Sequence, residues 1–357
     1  MLGSLSRAFS NPLKQCGLSG LPAFGRHHSS DIYDREWIQQ NYGHMGSFLP
    51  RISGTAHVLK PASLRRHHFK KTFLLGFGRQ ARVYAGVMQR PSRIPGSPYA
   101  VALKRFTVSP FYISTKVEAD CEILSHLALS DQENVTTLYG SFRYLNRVYL
   151  AMEKLNGESL FQILPGYFRG MPYGFVLRVM LKISRTVKKM HERGIVHRDL
   201  NPSNVLLVER HNGNLDSVDI KLIDFGSADL FRKGRPTEGL QGSVAGLIDY
   251  MCPMCHQKLP HDLTKADVYS LGVLMYELLC GQRPFQVEPG VDDRYHTLLL
   301  EKKLKGPLFE EQMWEVLDRD ILVLVAKMLE PDDSKRISSR KVVKILEMLQ
   351  RSGEDEK

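Results

Sequence analysis

Acidic residues are missing from the first 30 positions, cysteine occurs only five times in 357 residues, and no apolar run is long enough for a membrane helix, which needs about 18 residues. Each shortage excludes something. Without a long apolar run, no transmembrane segment is expected. Cys16, Cys121, Cys252, Cys255 and Cys280 form no evenly spaced framework, so free thiols and a reducing compartment are expected rather than disulfides. Only one Cys-x-x-Cys pair occurs, which leaves a zinc site without its second half. Residues 31–65 show no sustained period and read as a linker or extension.

What is present is ordinary for a globular protein: 43% hydrophobic and 24% charged, in a length that suits two domains or one two-lobed domain. The formal charge is +11, and residues 1–71 carry ten Lys or Arg against three acids, so the excess sits mostly ahead of the motifs described below. The run Arg65-Arg66-His67-His68-Phe69-Lys70-Lys71 reads as solvated surface, or as a nuclear address or patch for an acidic partner. Residues 1–30 hold Arg7, Lys14, Arg26 and six serines, with Leu2, Leu5, Phe9 and Leu13 at helical spacing. That pattern suits a mitochondrial transit peptide, although Gly3, Asn11-Pro12 and Gly17 interrupt it and a disordered tail is the alternative. The default compartment is the cytoplasm or nucleus.

The chemistry centres on His197-Arg198-Asp199-Leu200-Asn201-Pro202-Ser203-Asn204, followed by the apolar run Val205-Leu206-Leu207. It sets a carboxylate and, five residues on, a carboxamide ahead of a strand. Phosphoryl transfer needs a carboxylate to orient the attacking hydroxyl, oxygen ligands for Mg²⁺ and positive charge on the phosphates. Asp199 suits the first task and Asn204 the second. A second carboxylate ends a short strand in Ile223-Asp224-Phe225-Gly226, where the glycine permits a sharp turn. An isolated Asp-Phe-Gly is common, but five fixed residue types in the first loop should arise by chance in only about one chain of this length in ten thousand.

Together the two loops resemble the catalytic and metal-binding loops of the eukaryotic protein kinase family, of the serine/threonine type. The resemblance covers residues 69–350. It implies an α+β bilobal fold with a small antiparallel-sheet N-lobe at 69–153 and a mainly helical C-lobe at 156–350, leaving 1–68 as an N-terminal extension and 351–357 as a charged tail. ATP and Mg²⁺ are the implied cofactors and a protein the implied substrate, with no nucleic-acid ligand expected.

Further matches follow in chain order. Leu75-Gly76-Phe77-Gly78 with Ala81 and Val83 resembles the nucleotide loop, Ala81 standing at its third glycine, and Val101-Ala102-Leu103-Lys104 resembles the strand whose lysine holds the α- and β-phosphates. The resemblance puts Val83 and Ala102 above the adenine and Leu206 below it, with Met152 beside the ring and the Glu153 and Leu155 backbones bonding its edge. Lys104 would then grip phosphate, Asp199 act as base, and Asn204 and Asp224 hold metal. Counting back four residues from Leu124 places Asp120 where the family has the glutamate that pairs with the lysine. Glu118 and Glu122 are then expected to face elsewhere, and Leu124 and Leu138 to stack with Phe225 and His197 between the lobes.

In the C-lobe, Val176, Met180, Ile183, Val187 and Met190 step like one face of a long helix. Asp267 would cap the catalytic-loop backbone from the helix Asp267-Val268-Tyr269-Ser270-Leu271-Gly272. Thr237 and Ser243 are the phosphorylation candidates that could pair with Arg198. Cys252-Pro253-Met254-Cys255-His256 matches a c-type haem attachment pattern, which its place in this segment makes coincidental.

Four positions depart from the family: Asp120 for Glu, Asn201 for the lysine of serine/threonine kinases, Leu247 for the hydroxyl residue near the base, and Met254 for the glutamate that pairs with Arg336. They support the alternative of a pseudokinase scaffold that binds nucleotide or partners with little catalysis.

Overall fold

The structure is a computed structural model that describes residues 42, 45, 48, 69–77, 81–88, 99–107, 113–210, 215, 219–232, 234–239, 245–288, 294–309, 314 and 317–355. The possible transit segment at 1–30, Gly78 and Ser243 lie outside the described residues.

Strands β1 (Phe69–Phe77), β2 (Ala81–Met88), β3 (Tyr99–Thr107), β4 (Leu138–Tyr144) and β5 (Arg147–Glu153) form one antiparallel sheet in the order β1-β2-β3-β5-β4. Alternation along β3 divides the sheet into two faces. Val101 and Leu103 join a small outer cluster with Phe69, Tyr84, Phe142 and Tyr149. Phe142 stacks between Phe69 at 4.8 Å and Tyr149 at 4.7 Å. Phe106, on the other parity, enters the main core. Helix α1 (Ile113–Ala128) covers that inner face.

The second lobe contains α2 (Leu160–Ile163), α3 (Tyr173–Arg193), β6 (Ile195–Val196), β7 (Val205–Leu207), β8 (Ile220–Leu222), β9 (Asp229–Leu230), α4 (Pro253–His256), α5 (Leu263–Cys280), α6 (Tyr295–Lys305), α7 (Arg319–Met328) and α8 (Ser339–Asp355). The stripe expected on α3 is real: Val176, Met180, Ile183, Val187 and Met190 are all fully buried. At about 1.5–3 kcal/mol for each fully buried apolar side chain, this face is what docks the helix. Helix α5 begins four residues before Asp267, because Asp262 accepts from the Thr264 and Lys265 N–H groups and so caps its start. The last helix continues to Asp355, into the stretch that composition marks as a charged tail.

Part of the extension packs on the fold. Tyr42 and Met45 are buried in the main core, and Phe48 lies under the Arg232 guanidinium at 5.2 Å.

Candidate active site

The cleft between the lobes is assembled from β3, α1 and the loops after β6 and β8. Lys104 projects from β3 and is almost fully buried. Its Nζ donates to both oxygens of Glu122 at 2.8 Å and to Asp224 Oδ1 at 2.6 Å. This overturns the assignment of Asp120 as the lysine's partner. Asp120 lies about 200° around the helix from Glu122 and meets Arg143 at 3.9 Å. The register slipped because the apolar column contains histidine where leucine was sought. His126, one turn beyond Glu122, packs on Phe225 at 4.8 Å, and Phe225 packs on His197 at 5.1 Å. Leu124, although buried, is not the column residue identified by counting.

Two carboxylates share one ammonium here, so the cluster carries one surplus negative charge when both are ionised. Burial opposes the charge on Lys104, but Asp224 and Glu122 outweigh it and hold the ammonium above its ordinary range. Desolvation would raise Asp224, although its side chain is still 48% exposed, and Lys104 keeps it down at about 2. Burial lifts Glu122 to about 7, with the Asp224 charge adding to that and Lys104 opposing it. Gly226 allows this closeness: a Cβ there would lie 2.8 Å from Lys104 Nζ and 2.9 Å from Asp224 Oδ1. Asp224 itself has φ +61 and Arg198 has φ +65. Such left-handed conformations cost about 1 kcal/mol or more for residues with a side chain and recur at functional loops.

Across the cleft, Asp199 is held by three donors. Asn201 Nδ2 reaches Oδ1 at 2.9 Å, Leu247 N–H reaches Oδ1 at 3.2 Å, and Asn204 Nδ2 reaches Oδ2 at 3.1 Å. The Asn204 amide also donates to the Asp199 carbonyl at 2.8 Å, which fixes its nitrogen end and leaves its oxygen as the end for a cation. Leu247 supplies no hydroxyl, as expected, but its backbone N–H gives the carboxylate a donor. Gly246, at φ +98, makes that approach possible, because a Cβ there would sit 2.2 Å from the Arg198 carbonyl.

Asp267 caps the loop as expected, accepting from His197 N–H at 2.9 Å and Arg198 N–H at 2.8 Å. His191 Nε2 lies 3.0 Å from the same carboxylate. Arg198 donates through Nε to the Ser227 carbonyl at 2.6 Å and pairs with buried Asp229 at 3.4 Å, so a carboxylate already faces it without phosphate. Thr237 is exposed beside the Arg232–Glu238 and Arg235–Glu238 pairs.

Val83, Ala102, Leu155 and Leu206 are half-buried, whereas Val101, Leu103, Val205 and Leu207 beside them are buried. Ala102 pairs with Met152 across β3 and β5. Leu75 is exposed, Gly76 has open space at its Cβ position, and Ala81 packs on the main core. Glu153 spends its N–H on the Thr137 carbonyl and its carboxylate on Lys221 at 2.5 Å.

On the substrate side, Met254 makes no pair with Arg336, as expected. The guanidinium instead donates to the carbonyls of Glu330, Lys265 and Pro331 at 2.7–2.9 Å, under the Tyr269 ring. Sequence reasoning missed Lys303, a buried lysine on α6 that donates to the carbonyls of Ile248 at 2.5 Å and Met251 at 2.7 Å. A lysine facing main-chain oxygens leaves no sequence signature.

The family described as the protein kinase domain matches residues 69–346. Among curated relatives, the Aurora kinase of Eremothecium gossypii is 30% identical over 297 residues, covering 82% of this chain and 72% of its own. Calcium-dependent protein kinase 2 of Oryza sativa is 31% identical over 66% of this chain and 44% of its own, and CDPK-related kinase 7 of Arabidopsis thaliana is 35% identical over 59% and 34%. The chain thus spans well under half the length of several relatives. A match over most of its residues and a relative aligned along 82% of it establish that the chain belongs to the protein kinase family.

Proposed function

We propose that this chain is an ATP-dependent protein kinase that transfers the γ-phosphate to serine or threonine hydroxyls of protein substrates. The observation that carries this reading is Lys104 bridging Glu122 and Asp224, opposite Asp199 and Asn204. Lys104 supplies the charge for the α- and β-phosphates and is held by Glu122. Asp224 and the oxygen end of Asn204 would hold the metal. The surplus negative charge suits a cation, and among the described residues no cluster of three His, Cys, Asp or Glu is positioned to bind one. That donor set fits Mg²⁺, which takes one or two protein oxygens and completes its shell with phosphate and water. Bound Mg²⁺ neutralises charge on the transferring phosphate. Asp199, oriented by Asn201, Asn204 and the Leu247 N–H, accepts the proton of the substrate hydroxyl.

With Glu122 in place, the departures fall to three. Asn201 favours the scaffold alternative most directly, because an amide stands where an ammonium would neutralise the transferring phosphate. A unit-charge pair at 4 Å is worth about 4 kcal/mol at an effective dielectric of about 20. Asn201 nevertheless keeps the loop's geometry, accepting from the Ser203 N–H at 2.9 Å while donating to Asp199.

Nucleotide-dependent thermal stabilisation, measured with and without Mg²⁺, tests the site. The reading requires that ATP raise the melting temperature and that Mg²⁺ increase the shift. It also requires that Asp224→Asn remove the Mg²⁺ increment. No shift with any nucleotide would overturn it.

A further inference from the structure

The segment that rewrites the family pattern holds a cluster of chemistry that phosphoryl transfer does not use. Cys252 Sγ lies 3.0 Å from Cys255 Sγ, and Cys255 Sγ lies 2.9 Å from His261 Nε2. His261 Nδ1 lies 2.7 Å from the Leu259 carbonyl and must donate to it, so Nε2 of the neutral ring is an acceptor facing the sulfur. Thiol, thiol and imidazole form one line along which a proton can leave Cys252. The Cys255 N–H, 3.3 Å from Cys252 Sγ, stabilises the charge left behind. Hydrogen bonding from Cys255 holds Cys252 down at about 6 against its burial, helped by Arg336. The bond to Cys252, together with burial, pushes Cys255 up. One sulfur is thus prepared as the thiolate and the other as the proton-bearing partner.

We propose that Cys252 and Cys255 form a reversible dithiol/disulfide site in the segment following the catalytic cleft, closed by hydrogen peroxide and reopened by a dithiol. The Cys252 thiolate attacks one peroxide oxygen; the O–O bond breaks and hydroxide leaves, taking a proton to become water. The sulfur of Cys255 then displaces the hydroxyl from the Cys252 sulfenic acid, forming the S–S bond and releasing a second water as its own proton departs. Two thiols lose two electrons, and one peroxide becomes two waters. A dithiol returns the two electrons and two protons and becomes a disulfide itself.

Burial selects the oxidant. Cys252 is 1% exposed and Cys255 9% exposed, which excludes a bulky disulfide such as oxidised glutathione and leaves only an oxidant as small as peroxide. The site is also placed to act. Cys252 precedes Pro253 at the start of α4, and Lys303 and the Ser270 hydroxyl hold the Met251 and Tyr250 carbonyls just before it. Closure removes the negative charge from Cys252 that faces Arg336, the arginine whose usual glutamate partner is replaced by Met254.

The test requires no phosphate transfer, so it stands or falls independently of the proposed activity. The reduced full-length chain is titrated with hydrogen peroxide, quenched by alkylation in denaturant and mapped by peptide mass. The expected result is one peptide carrying Cys252 and Cys255, unalkylated and lighter by two hydrogens. It should form at about tenfold lower peroxide than oxidises Cys121 or Cys280 and revert with dithiothreitol. Cys255→Ala should leave Cys252 as a sulfenic acid captured by dimedone. His261→Phe should slow closure about tenfold near about pH 7, and less near about pH 9. If the pair remains alkylatable while Cys121 or Cys280 oxidises, or if oxidised glutathione leaves an adduct on Cys252 instead of an internal disulfide, the proposal is overturned. The wild-type mapping alone decides the matter should either variant fail to fold.

Discussion

The nucleotide side of the cleft and the substrate side have diverged to very different degrees. On the first, Lys104, Glu122, Asn204 and Asp224 all have the family's residue types, with Lys104 bonded to Glu122 and Asp224 and Asn204 bonded to Asp199. On the second, Asn201, Leu247 and Met254 have lost theirs, yet the segment is still held. Leu247 uses its N–H, Lys303 grips two carbonyls, and Arg336 bonds three carbonyls in place of a glutamate. The difference separates two kinds of requirement. A group that handles phosphate or metal must place a full charge at a given point, and few side chains can do that. A group that supports a loop needs only a donor or an acceptor, and every residue carries one of each on its backbone.

If this contrast is sound, damage to the nucleotide side should have the largest effect. Lys104→Met and Asp224→Asn are each expected to drop phosphate transfer below detection while the chain still unfolds in one cooperative transition. Transfer assays paired with calorimetry check both halves of that statement. Next comes the helix. Glu122→Gln should lower kcat/KM about 100-fold, since Lys104 loses the charged partner that holds it. Asp120→Asn should change it less than about threefold, because Asp120 lies on the other side of the helix from Glu122 and meets Arg143 rather than Lys104. Equal losses from the two variants would restore Asp120 as a partner of Lys104.

A smaller effect is expected from repairing the substrate side. Asn201→Lys should raise kcat about tenfold with the KM for ATP nearly unchanged, because the added charge acts on the transferring group. Steady-state kinetics at varied ATP separates the two constants. The smallest effect at neutral pH should come from His126→Leu, at about 1 kcal/mol or less. Burial lowers His126 from 6.5 to about 3, with Lys104 adding to it. The unfolded chain therefore binds the proton that the folded chain refuses, and stability contributed above pH 6.5 is lost as pH falls towards 3. Melting temperatures of wild type and His126→Leu should diverge across that window, with the variant melting higher in acid.

The same contrast explains what could be read from the sequence. Helix α3 was legible because one of its faces is apolar at a fixed period, whereas the antiparallel sheet was expected only from the resemblance of the two loops to a family that has one. Asp199, Asn204 and Asp224 were legible because their spacing is local, within one loop each. Helix α1 was not, since Ala119 to Leu129 are buried on every side and no period marks which face meets Lys104. With His126 in the column, the only leucine that fitted the count pointed two residues away from the true partner. The supports at Leu247 and Lys303 were invisible because main-chain atoms are the same whatever the residue. Tyr42, Met45 and Phe48 were missed as well, since the sequence of residues 31–65 shows no sustained period.

The central claim is that an intact nucleotide side suffices for catalysis although the substrate side has been rebuilt from backbone contacts. Transfer of labelled γ-phosphate from ATP to a generic protein substrate, with Mg²⁺, by the wild-type chain and by Asp199→Asn, tests it most directly. Label incorporation by wild type, reduced about 10²- to 10⁴-fold by Asp199→Asn, is the expected result. No incorporation by wild type with Mg²⁺ or Mn²⁺, unchanged by Asn201→Lys, would contradict the claim and leave a nucleotide-binding scaffold.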